Sequence, residues 1–181
     1  MSPPTPSTFW QLYKAELRSR GSWSAYQTNP PLWTQIAKDA AIAACDRLGL
    51  ETSKEYFRLD VLGYDENRSA RHDWNVRVAF EVENTADWKD ELCKLSHIVA
   101  DLCVLAAYEW HKGWSAKEAL VEYLDTLGER VHRVPGRQWL FIFGPCGKDL
   151  SEPWTAYAFN DNRELISVDE GVLLRGADLN A

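Results

Sequence analysis

Val76-Arg77-Val78-Ala79-Phe80-Glu81-Val82-Glu83-Asn84 decides how this sequence is read. Side chains alternate faces along a strand, so residues two apart share a face. Val76, Val78, Phe80 and Val82 form one apolar row, and Arg77, Ala79, Glu81 and Glu83 point the other way. Two carboxylates at the end of such a strand are unfavourable to bury unless they meet a partner or a cation. They can also belong to the wet face of an edge strand, because antiparallel sheets often leave one face solvated. Upstream, Tyr56-Phe57-Arg58-Leu59-Asp60-Val61-Leu62 places a third carboxylate in a strand-like context. Phe57, Leu59 and Val61 form its apolar side, and Asp60 shares the other with Tyr56, Arg58 and Leu62. If strands at about 55–64 and 74–84 pair as antiparallel neighbours, Asp60 and Glu81 come close enough to share one cation. Mg²⁺ needs only one or two carboxylates, its other ligands being water and phosphate oxygens.

A helix over about 86–99, capped by Thr85, follows the second strand and leads to the apolar strand Leu102-Cys103-Val104-Leu105-Ala106-Ala107-Tyr108. With Trp88 at zero and about 100° per residue, Leu92, Leu95 and Val99 fall within about 40° of it. Glu91 lies at about 300°, inside the apolar arc, and Lys94 at about 240°, on its flank. Glu91 and Lys94 therefore either reach a buried partner or pair with each other at i,i+3.

An acidic residue on one strand, an acidic-x pair on the next and a lysine-bearing helix resemble the PD-(D/E)XK nuclease superfamily, the restriction-endonuclease-like fold. The resemblance covers residues 31–108, in the order helix, strand, strand, helix, strand. It implies that Asp60 and Glu81 hold Mg²⁺ or Mn²⁺. Glu83 stands where the family usually has lysine, and some members carry that lysine on the following helix, the place of Lys94. The implied activity is metal-dependent hydrolysis of nucleic-acid phosphodiesters, with Asp60, Glu81, Glu83 and Lys94 as catalytic residues and Glu91 and Arg58 behind them or on the substrate. The alternative is a catalytically inactive module of the same fold that binds a nucleic acid or a protein partner. A metal-binding protein with no nuclease role is a third option.

The rest of the chain fits an α/β domain with a mixed β-sheet flanked by helices on both sides. With 181 residues, a single domain is expected. Residues 1–7 read as a disordered arm, 9–20 and 32–48 as helices, and 22–29 as a polar loop. Ser115 and Glu118 form a capping box for a helix running to about His132, with Leu120, Tyr123, Leu124, Leu127 and Val131 as its core stripe. Residues 134–181 form a C-terminal extension of strands at 139–143, 154–159 and 164–168, the last two joined by a turn at Asn160-Asp161-Asn162-Arg163. The nine tryptophans are expected to lie mainly in the core.

Acidity concentrates around the carboxylates. Residues 51–130 hold seventeen acidic and ten basic residues, against three and five in residues 1–50. A committed duplex binder more often shows a basic stripe. Arg68, Arg71 and His72 between the two site strands, Lys14, Arg18 and Arg20 on the first helix, and Arg133 and Arg137 after the later helix are the local exceptions. The four cysteines lack metal or redox spacing and fit a reducing cytoplasm. No metal-spaced histidine pair points to zinc. No apolar run approaches the roughly 18 residues a membrane span needs, so no membrane association is expected.

Overall fold

The computed structural model describes residues 3–56, 58–66, 74–84, 87–108, 115–145, 151–168 and 174–179. Its centre is a seven-stranded mixed sheet whose spatial order follows the chain: β1 (Glu51–Tyr56), β2 (Leu59–Glu66), β3 (Trp74–Val82), β4 (Leu102–Tyr108), β5 (Gln138–Gly144), β6 (Thr155–Phe159) and β7 (Leu165–Ser167). The first three strands are antiparallel neighbours, β3, β4 and β5 run parallel, and β6 and β7 return antiparallel. Five α-helices accompany it among the described residues: α1 (Pro6–Arg20), α2 (Trp23–Thr28), α3 (Pro30–Arg47), α4 (Trp88–Ser96) and α5 (Ala116–Leu127).

The apolar row of β3 explains the first layer. Val78, Phe80 and Val82 pack with Val61, Val104 and Ile142 against Phe9, Tyr13 and Leu17 of α1 and the alanine face of α3, Ala37, Ala40, Ala41 and Ala44. Alanines let α3 approach the sheet closely. At Gly63 of β2 the fit leaves no room for a side chain, since a Cβ there would stand 2.8 Å from the Cys45 sulfur. The opposite row, with Ala79, Cys103, Leu105 and Phe141, packs against Trp88, Leu92 and Leu95 of α4 and Leu120 and Leu127 of α5. β4 and β5 are covered on both faces, so they read as continuous apolar runs. Trp10, Trp33, Trp88, Trp139 and Trp154 are among the largest fully buried side chains, as expected for a tryptophan-rich core.

Several expectations need correction. Residues 55–64 are not one strand. Tyr56 pairs with Leu59, so β1 and β2 form a hairpin, and β1 is a further, polar edge strand. The helix after β3 is Trp88–Ser96, shorter than 86–99, and Val99 lies beyond it, 72% exposed rather than in the core stripe. The proposed Thr85 cap lies outside the described residues, as do Arg68, Arg71 and His72. Residues 6 and 7, expected in a disordered arm, open α1, whose N-cap is Thr5. Residues 22–29 are not a loop: Ser22 caps α2 by accepting the Ala25 N–H. Ser115 caps α5 as expected, accepting the Glu118 N–H, but α5 ends at Leu127 and a 3-10 turn, Gly128–Arg130, follows.

Candidate active site

The antiparallel ladder between β2 and β3 holds as far as Val61–Phe80 and stops there. The next residue toward the strand end, Asp60, takes over with its side chain: the Val82 N–H donates to Asp60 Oδ2 at 2.9 Å. On the other flank, Glu55 and Asp60 would face each other between the pairs Lys54–Val61 and Tyr56–Leu59, yet they form no ladder pair. Glu55 has φ +54° and Arg58 has φ +64°, a left-handed backbone that is uncommon for residues other than glycine. Strained backbone of this kind often collects at functional sites.

Two lysines reach the end of the sheet from opposite layers. Lys94, on α4, places its ammonium 2.7 Å from Glu81 Oε1, pairs with Glu91, and donates to the Arg58 carbonyl at 2.8 Å. Lys38, on α3, places its ammonium 2.7 Å from Asp60 Oδ1 and 2.5 Å from Glu55 Oε1. The hairpin thus serves both lysines, Glu55 by its side chain and Arg58 by its backbone oxygen. The result is a chain of alternating ammonium and carboxyl groups along one end of the sheet.

Glu81 is the most constrained member. Only 2% of it is exposed. Burial pushes its carboxyl up to about 9, the Lys94 ammonium pulls the other way, and the charges of Asp60 and Glu91 add to the rise. Asp60 stands where the β2–β3 register, carried one pair past Val61 and Phe80, would set it opposite Glu81. Burial draws the Lys94 ammonium down, but its bonds to Glu81 and Glu91 more than offset this and hold it above its ordinary value. Lys38 behaves alike, its burial outweighed by Asp60 and Glu55.

The remaining residues expected at the site lie at varying distance from this network. Glu91 joins through Lys94. Arg58 contributes its carbonyl, while its side chain is exposed. β3 ends at Val82, so strand alternation no longer fixes the side on which Glu83 lies. Tyr108, packed in the α1–α3 layer, is raised well above the usual phenol range, first by burial and then by the charge of Glu83. Lys38 and Glu55 were missed by sequence reasoning. The available signal for Lys38 was a lone cation beside the alanine face of α3. Glu55 had no signal, because its role depends on a turn that the strand reading hid.

Among the described residues, no group of three or more His, Cys, Asp or Glu is arranged to hold a metal ion. The donors present are two hard carboxylates, one deeply buried, which suit a cation that retains water or phosphate oxygens rather than an all-protein cage. No described helix is long and apolar enough to cross a membrane. No protein-family model matches the sequence, and no curated protein matches it.

Proposed function

We infer that this protein is a metal-dependent nuclease-like hydrolase acting on nucleic-acid phosphodiesters, with a restriction-endonuclease-like core running from α3 to β4. The observation that carries this reading is the 2.7 Å contact between Lys94, from the helix after β3, and the buried carboxyl group of Glu81. It supports Lys94 as the substitute for the lysine that Glu83 replaces. The order helix, strand, strand, helix, strand also supports it, with β1 as one strand more than the sequence indicated.

In this reading Asp60 and Glu81 hold Mg²⁺ or Mn²⁺. Such an ion, when bound, lowers the pKa of a coordinated water and polarises a phosphoryl oxygen. The chain's own residues do the rest. Asp60 is fixed by the Val82 N–H, so one of its oxygens is aimed by backbone. Lys94 is held by Glu81, Glu91 and the Arg58 carbonyl, where it can stabilise charge developing on a phosphate. Glu91 keeps the Lys94 ammonium in place.

One observation favours a second reading, an inactive module of the same fold that binds nucleic acid or protein. Asp60 and Glu81 each already have an ammonium partner, so neither carboxyl group needs a metal to satisfy it. The test is incubation of the full chain with supercoiled plasmid, single-stranded DNA and RNA, each with Mn²⁺ and each with chelator. Cleavage of one substrate that disappears in chelator supports the hydrolase. Intact substrates throughout favour the binding module.

A further inference from the structure

We propose that Lys38 is a latch on Asp60, which a divalent cation must displace before Asp60 can ligate it, so that Lys38 sets the affinity of the site for metal. This rests on the reading of Asp60 as a metal ligand given above.

Asp60 has two carboxylate oxygens, and they differ in what holds them. Oδ2 accepts from the backbone N–H of Val82, a donor fixed by the end of β3. Oδ1 is held by the Lys38 ammonium at 2.7 Å. A backbone amide at a strand end cannot leave without breaking the strand, whereas an ammonium on a flexible four-carbon stem can. Oδ1 is therefore the oxygen a metal can claim, and Lys38 is what it must replace.

Lys38 has somewhere to go. Its ammonium already touches Glu55 Oε1 at 2.5 Å, and the Glu55 side chain is 67% exposed. A displaced Lys38 keeps that partner and gains water, so it is not left as an unpaired buried charge. Lys94 differs in this respect, because three oxygens from three different residues surround it. Of the two lysines, Lys38 is the one built to yield. The arrangement also explains why Asp60 and Glu81, at opposed positions at one end of the sheet, are drawn to separate helices: Lys38 on α3 claims one and Lys94 on α4 the other.

The full chain, free of nucleic acid, is titrated with Mn²⁺ by calorimetry as wild type, as Lys38→Met and as Lys54→Met. Methionine retains an apolar stem without the charge. Lys54 pairs with Asp39 nearby on the same flank and controls for the loss of a positive charge alone. Lys38→Met is expected to bind Mn²⁺ at least tenfold more tightly, and Lys54→Met within about twofold of wild type. Unchanged or weaker binding by Lys38→Met, or equal tightening by both variants, overturns the proposal while leaving the metal reading intact. Absence of Mn²⁺ binding in wild type and both variants overturns the metal reading, and the latch with it. A second measurement needs no variant and decides the matter should Lys38→Met fail to fold. Acetylation of wild-type lysines, read by mass spectrometry, should rise at Lys38 on saturation with Mn²⁺ and stay constant at Lys54. Constant Lys38 labelling at saturation refutes displacement.

Discussion

Glu81 keeps its proton far above the pH at which a surface glutamate loses it. Below its ordinary value of 4.5 the group is protonated in both folded and unfolded chains and contributes nothing. Between 4.5 and about 9 the folded chain holds the extra proton, so the free energy of unfolding falls as pH rises. Glu81→Gln, nearly the same shape without the titration, removes that loss. In chelator its stability relative to wild type should be higher at pH 8 than at pH 4. Denaturant melts at the two pH values check this, and an equal or shrinking margin at pH 8 would contradict it. Lys94 makes a kinetic prediction: Lys94→Ala should slow cleavage at least tenfold, about 1.4 kcal/mol of barrier. An unchanged rate would confine Lys94 to holding the structure together. Glu81, Asp60, Lys94 and Glu91 were legible as a group because each is a charge set into an apolar pattern of known period. Lys38 was not, since the contact that gives it meaning joins elements far apart in sequence, and no period records such a contact.

The β1–β2 hairpin is the element on which the site depends, and the one the sequence hid. β1, Glu51-Thr52-Ser53-Lys54-Glu55-Tyr56, lies at the sheet edge with four of its six residues exposed, so it carries no apolar alternation to announce a strand. Its turn has no Asn-Gly or Asp-Gly pair of the usual two-residue hairpin kind. α2 escaped for a related reason: six residues are too few to display a helical period. α5 and its Ser115 cap were legible from local chemistry alone, and Ser115→Ala should lower stability by about 1 kcal/mol in a thermal or denaturant melt. Packing of α3 on β2 makes a sharper prediction. Gly63→Ala thrusts a methyl group at the Cys45 sulfur and should destabilise the protein by about 1–3 kcal/mol. Cys45→Ala in the same chain opens that space, so the double mutant should recover part of the loss. Strict additivity of the two changes would show that the contact is not what limits the site.

At the scale of the whole molecule, two helical layers close on one sheet, and each layer sends a lysine to the same sheet end. That placement follows from chain order. α3 precedes the hairpin and covers one face, and α4 follows β3 and covers the other. The mixed sheet flanked by helices was readable from the alternation in β3 and the continuous apolar runs of β4 and β5. The arrival of Lys38 at Asp60 from the other layer was not, because it requires the packing of α3 on the sheet. Single-turnover cleavage of plasmid, single-stranded DNA and RNA in Mn²⁺ by wild type and Glu81→Gln, with folding of the variant verified by its melt, decides whether this sheet end is a metal-dependent hydrolase site. Cleavage of at least one substrate by wild type, none in chelator, and none by the folded variant is the expected result. A folded Glu81→Gln that cleaves at the wild-type rate, or a wild type that leaves all three substrates intact, would contradict it.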